Sequence, residues 1–248
     1  MRHALSIPRR LPTEAALYKE EYRVKKEILC YGDSNTWGGI PRWQDLGVPS
    51  DRYAPDVRWT GRLASLLGEG YHIIEEGLGG RTSVYDFPGE SWRNGLPYLQ
   101  PCLLTHRPLD LVVLMLGTND LHACLHPTSA HLGDGIRTLV DVVRATPKCG
   151  RALTPPPILI IAPALISEGQ GRREVYPKRG GEAGEALSRQ FAPVYRQAAE
   201  ELGCYFLDAA LYAQPSDADG LHWMPESHRR LADALAGVIP SILGEETP

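Results

Sequence analysis

The stretch Leu109-Asp110-Leu111-Val112-Val113-Leu114-Met115-Leu116, running straight into Gly117-Thr118-Asn119-Asp120, decides how this chain folds. All but Asp110 of the first eight residues are apolar, without the three-and-four spacing of a helix. Such a run suits a strand buried on both faces, as in a parallel sheet covered by helices. Residues 28–31, 72–76, 158–162 and 204–207 repeat the pattern, each bounded by glycine, proline or charge. Between these runs the spacing turns helical. Residues 60–67 carry Leu63, Leu66 and Leu67, and residues 130–144 carry Leu132, Ile136, Leu139, Val140 and Val143. Residues 182–202 and 225–243 read the same way, with Pro225 suited to a first helical turn. Strands alternating with helices predict right-handed βαβ units. The expected fold is a three-layer α/β/α sandwich on a five-stranded, mainly parallel sheet in the flavodoxin-like order.

The chain reads as an N-terminal extension, residues 1–27, and one α/β domain, residues 28–248. The extension is basic at Arg9, Arg10, Lys25 and Lys26 and lacks the apolar core of a secretory signal. It reads as a surface segment, an arm to a neighbouring subunit or a loosely ordered tail. With 248 residues, 43% hydrophobic and 23% charged, the chain has ample material for a core. A net charge of −4 speaks against a nucleic-acid partner, and no apolar run has the length of a membrane span. Cys30, Cys102, Cys124, Cys149 and Cys204 are scattered and form no C-x-x-C pair, so neither a zinc site nor a disulfide framework is expected. Reduced thiols in a cytoplasmic protein are the simplest reading. Residues 38–57 and 165–184 are long loops after strand ends, where open α/β sheets bind ligands, and are expected to wall a cleft.

Four short elements at strand ends carry the chemistry. Gly32-Asp33-Ser34-Asn35-Thr36-Trp37-Gly38 follows the first strand and can expose the Ser34 hydroxyl, although Gly-Asp-Ser alone is also ordinary turn chemistry. Asp219-Gly220-Leu221-His222 lies near the C-terminus. A serine hydroxyl needs an imidazole to take its proton, and the imidazole needs a carboxylate to fix its tautomer. An Asp three residues before a His can supply both parts; a capping Asp beside a surface His is the bland alternative. Asn119, after the most apolar strand, can offer an amide to a developing oxyanion. In Gly77-Leu78-Gly79-Gly80-Arg81-Thr82 a glycine lets a backbone N–H approach the same point.

Together, in this order and each at a strand end, the four elements resemble blocks I, II, III and V of the SGNH (GDSL-type) hydrolases. The resemblance runs through nearly all of the chain from Ile28 onward. It implies Ser34 as nucleophile, His222 as base and Asp219 as its orienting carboxylate. The oxyanion donors would be the Ser34 and Gly80 N–H groups and the Asn119 amide. Asp33, Trp37, Gly79 and Leu221, which flank these groups, are the expected substrate neighbours. A small-molecule carboxylic ester is the implied substrate, with no metal or organic cofactor. Arg58-Trp59 and Glu75-Glu76-Gly77-Leu78 resemble the arylesterase and acyltransferase branch in particular. That branch implies short aryl or alkyl esters and a homo-oligomer built partly through the loop at 165–184. Asn35 stands where the acyltransferase pattern has an apolar residue, and Gly80 where it has Ala, so hydrolysis is expected over transfer. Acetyl-sugar esterases share the same blocks, which makes a carbohydrate O-acetylesterase the alternative.

Several other features of the sequence admit plainer roles. His122 and His126 have metal-ligand spacing but no third ligand at a recognisable distance, and Pro127 ends the turn. Trp37, Trp59 and Trp92 can shape a pocket or pack a core. Arg81 and Asp86 read as a salt bridge, Asp33 and Asp120 as turn-fixing side chains, and Cys30 as a small core residue. A phosphate-cradling flavodoxin-like module is the non-enzymatic alternative, but neither G-x-G-x-x-G nor the P-loop lysine is present.

Overall fold

The computed structural model describes residues 25–41, 50–151, 153–170 and 175–244. Most of the N-terminal extension, residues 1–24, therefore lies outside the described residues. Five strands, β1 (Lys26–Gly32), β2 (Tyr71–Gly77), β3 (Leu111–Met115), β4 (Ile158–Ala162) and β5 (Tyr205–Asp208), form one sheet in the order β2-β1-β3-β4-β5. Every pairing is parallel, with Leu29 opposite Ile74 and Val112, and Leu114 opposite Ile160. This is the flavodoxin-like order. The chain reverses its direction of winding between β1 and β3, the place where doubly wound sheets open a crevice.

Alternate residues of each central strand feed two separate cores. Leu29, Tyr31, Val112, Leu114, Ile158 and Ile160 pack under helices α3 (Gly95–His106), α4 (Ser129–Ala145) and α7 (Phe191–Leu202). Ile28, Cys30, Leu111, Val113, Leu159 and Ile161 face α2 (Trp59–Leu67) and α8 (Pro225–Ile242). Burial on both faces is why these strands read as continuous apolar runs. The short helices α1 (Ser34–Trp37), α5 (Val175–Lys178) and α6 (Glu182–Ser188) lie at the carboxyl ends of the strands or in the loops beyond.

Three expectations need adjusting. The helical stretch at 182–202 is two helices, α6 and α7, broken at Arg189 and Gln190. Ser188 Oγ donates to the Glu185 carbonyl at 2.7 Å and accepts from Ile166 N at 3.3 Å, which ties the end of α6 to the loop after β4. Pro193, which has no N–H to give, then falls in the first turn of α7. Helix α3 has no counterpart in the sequence reading, because Gly95, Pro97 and Pro101 mask the apolar spacing of Leu96, Leu99 and Leu103. Asn94 caps it by accepting from Leu96 N at 2.9 Å. Finally, Arg81 does not bridge to Asp86. It donates to the carbonyls of Gly32 and Glu76 and lies 4.2 Å over the Tyr31 ring, while Asp86 accepts from Asn94 Nδ2.

No helix among the described residues is long and apolar enough to cross a membrane.

Candidate active site

The turn after β1 is fixed by Asp33, whose Oδ1 accepts from Asn35 N at 2.9 Å and starts the single helical turn α1. Ser34 is the first residue of that turn, so its N–H has no partner within the helix. From the opposite end of the sequence, the loop at 215–223 closes on itself. Ser216 N donates to the His222 carbonyl and Gly220 N to the Ser216 carbonyl, both at 2.8 Å. The fully buried Trp223 anchors the loop in the core beside α8. Gly220 has φ +70°, and a Cβ there would sit 1.9 Å from the Ser167 carbonyl oxygen, so only glycine fits. Ser167 N donates to the Gly220 carbonyl at 3.0 Å and Gln170 N to the Asp217 carbonyl at 2.7 Å, which clamps this loop to the one after β4.

The outcome is a continuous row of side chains. His222 Nδ1 lies 2.7 Å from Asp219 Oδ2, and His222 Nε2 lies 3.0 Å from Ser34 Oγ. With the proton on Nδ1 that the carboxylate demands, Nε2 is free to accept from the serine hydroxyl. Asp219 also accepts from Leu221 N at 3.0 Å, His222 N at 2.9 Å and Ser216 Oγ at 3.2 Å. Burial alone would push its carboxyl up, but the hydrogen bond and charge of His222 and the two backbone donors hold it below the ordinary value. Asp219 therefore stays an anion facing the imidazole.

Gly80 and Asn119 reach the same cleft, of about 380 Å³, as Ser34 and His222. Each is held by an arginine that no motif marks. Arg93 Nε donates to the Gly80 carbonyl at 2.8 Å, and Gly80 itself takes φ +78°. Arg179 Nη2 donates to Asn119 Oδ1 at 3.2 Å, while Asn119 Nδ2 donates to the Arg81 carbonyl at 3.1 Å. One amide hydrogen of Asn119 is thus spent on backbone and the second remains for another acceptor. Behind Asn119, the buried Asp120 accepts from Ser83 N at 2.7 Å and from Ser83 Oγ at 2.5 Å, joining the β3 and β2 loops. Burial raises its pKa to about 7, against the pull of those hydrogen bonds.

Trp37 and Gly79 line the cleft, as does the largely exposed Trp92 at its mouth. Asp33 and Leu221 are set back: Asp33 is 2% exposed and Leu221 5%, with the Leu221 carbonyl accepting from Asn35 Nδ2. Trp59 is a core residue, fully buried against α8. The Arg58-Trp59 and Glu75 signals have a shared structural cause. Glu75 accepts from Arg58, from Thr60 Oγ1 at 2.5 Å and from Arg52 Nη2 at 3.2 Å, and Arg52 Nε in turn holds the Trp37 carbonyl at 2.7 Å. This network fastens the segment from Ser50 onward behind the serine turn.

His122 and His126 do not converge. His122 packs edge-on against Phe87 and its Nδ1 faces Cys124 Sγ, while His126 takes a left-handed backbone conformation at the end of the turn. Glu76, Cys102 and His106 place ligand atoms within 4.8 Å of one another, a grouping split between β2 and α3. A direct 3.0 Å contact between His106 Nε2 and Glu76 Oε1 accounts for it.

A parallel sheet of this order, with a Ser–His–Asp row at the carboxyl ends of its strands, defines the SGNH class of α/β hydrolases. The model of the GDSL-like lipase/acylhydrolase family matches residues 30–230, and the chain belongs to that family of carboxylic ester hydrolases. Among solved structures, it is 38% identical to the aryl esterase of M. smegmatis, with a TM-score of 0.80, covering 88% of this chain and 99% of that one. It is 36% identical to a carbohydrate acetylesterase of Sinorhizobium meliloti, with a TM-score of 0.81, covering 88% of this chain and 100% of the other. No curated protein matches the chain.

Proposed function

We propose that the protein hydrolyses short-chain aryl or alkyl esters by a two-step acyl transfer through Ser34. The observation that carries this reading is the unbroken contact series Ser34 Oγ to His222 Nε2 to Asp219 Oδ2, at 3.0 and 2.7 Å. His222 takes the Ser34 proton as Oγ bonds to the ester carbonyl carbon, and the carbonyl electron pair moves onto oxygen. The resulting anion meets the Ser34 and Gly80 N–H groups and the free amide hydrogen of Asn119, placed beforehand so that little reorganisation is needed. Collapse breaks the bond to the alcohol, which leaves with the proton from His222. Water, activated by His222 in turn, attacks the acyl-serine and releases the carboxylic acid.

Trp37 and Trp92 give the cleft aromatic walls suited to an aryl leaving group. The likeness to the M. smegmatis aryl esterase supports the same choice. A carbohydrate O-acetylesterase is the second reading, favoured by the polar wall of Asp51, Glu90, Arg93, Arg179 and Asn119 and by the S. meliloti relative. Acyl transfer to alcohols is a side activity at most. A homo-oligomer acting on small molecules, without nucleic acid, completes the proposal. All five cysteines are free, which supports a reducing, cytoplasmic setting.

Hydrolysis of p-nitrophenyl esters from acetate to octanoate, with acetylated xylose alongside, tests the reading on wild type and Ser34→Ala together. Turnover of short aryl esters that disappears in the variant is expected. Equal turnover by both proteins would refute it, and turnover of acetylated xylose alone would hand the case to the second reading.

A further inference from the structure

Two guanidinium groups, those of Arg93 and Arg179, stand in the wall of the cleft that holds Ser34 and His222. Arg93 is committed to other partners. Its Nε holds the Gly80 carbonyl, its Nη1 pairs with Glu90 Oε2 at 2.9 Å, and its Cζ lies 3.6 Å from the centroid of the Phe87 ring. Arg179 is not. Its side chain makes one hydrogen bond among the described residues, from Nη2 to Asn119 Oδ1, and no described carboxylate lies within ion-pair distance. Its Nε is closed off from solvent without any acceptor among the described residues. A guanidinium presents five donors in a flat fork, and an enclosed donor left without an acceptor costs free energy.

The other charges of the cleft do not answer this one. Asp219 is committed to His222 and Glu90 to Arg93, while Asp51 is exposed at the rim. Asp33 and Asp219 act on Arg179 only through space. Burial, and then repulsion from Arg93, lower the Arg179 pKa to about 10, which leaves it a cation at neutral pH. Holding the Asn119 oxygen requires one donor, which a neutral amide could supply. The planar, charged fork goes beyond that need and matches a carboxylate offered by a ligand.

We propose that Arg179 forms an anion subsite next to the oxyanion position, and that the preferred substrates are esters carrying a carboxylate close to the scissile bond. This rests on the esterase reading above and narrows its substrate class. The exposed Trp92 at the mouth leaves room for an aryl or alkyl remainder outside the subsite.

The test compares p-nitrophenyl hemiglutarate, a monoanion, with its methyl ester of nearly the same shape and with p-nitrophenyl acetate. Wild type, Arg179→Met and Arg179→Lys are assayed at low ionic strength. The wild type should favour the anion over its methyl ester by roughly tenfold in kcat/KM, mainly through KM, as expected of one charge-assisted contact. The preference should vanish in Arg179→Met, persist in part in Arg179→Lys, and shrink as salt is added. Equal rates for anion and methyl ester in the wild type would overturn the inference. So would an Arg179→Met variant that loses activity on all three esters by one common factor, since Arg179 would then only prop Asn119. Turnover of the neutral esters without the preference removes the inference alone; turnover of none removes the esterase reading with it.

Discussion

The two sides of the active site are held in different ways. On one side, Asp219 and His222 are three residues apart in a loop that fixes itself by short backbone bonds, and Ser34 sits on a turn capped by the residue before it. On the other, Gly80 and Asn119 depend on guanidinium groups from elsewhere: Arg93 lies 13 residues from Gly80, and Arg179 lies 60 residues from Asn119. The first side is braced mainly within its own loops, with two backbone bonds from the loop after β4. The second is assembled by tertiary contact and brings two guanidinium groups to the cleft, that of Arg93 paired with Glu90 and that of Arg179 without a described carboxylate partner. Under the proposed mechanism, proton transfer draws on the locally braced half and charge stabilisation on the assembled half.

Substitutions on the two sides should separate accordingly. Asp219→Asn removes the anion that fixes the His222 tautomer while keeping the shape of the loop, and kcat on p-nitrophenyl acetate should fall by about 10⁴-fold. Asn119→Ala removes one proposed oxyanion donor and should cost about 10²–10³-fold in kcat with little change in KM. Arg93→Met leaves every reacting group in place but frees the Gly80 carbonyl, and a loss of about tenfold is expected from the looser donor. If Arg93→Met proved as damaging as Asp219→Asn, the contrast between the two halves would break down.

The smallest effect concerns stability. Asp120 holds its proton up to about pH 7 in the folded protein, well above the ordinary carboxyl value of 3.8. The folded state then binds that proton more tightly than the unfolded chain. Its contribution favours folding at low pH and is lost as pH rises from about 4 through 7. Asp120→Asn, which can still bond to Ser83, should flatten that part of the dependence of Tm on pH. An unchanged slope would show that the Asp120 carboxyl does not titrate there.

The same contrast explains what could be read from the sequence. Strands buried on both faces left uninterrupted apolar runs; the serine stands in a short motif directly after β1, and the aspartate and histidine in a short motif of the loop before α8, where neighbours in sequence are neighbours in space. The positions of Gly80 and Asn119 beside the cleft were legible for the same reason. Arg93 and Arg179 were not, because an arginine in a loop carries no periodicity and its partner lies in another segment. Helix α3 was hidden by Pro97 and Pro101; Pro97 falls in the first turn, where no N–H is needed, and the missing N–H of Pro101 is outweighed by burial of Leu99 and Leu103 against the sheet. Trp59 could have faced either way on sequence grounds; only the packing of α2 on α8 decides that it is core.

The central claim is that Ser34 is the nucleophile, and the most direct measurement is covalent labelling by a serine-directed aryl phosphonate, located by mass spectrometry of peptides. A single adduct on Ser34, formed at a rate that collapses in His222→Ala, is the predicted result. An adduct on a different residue, or none on a folded wild-type protein, would contradict the account.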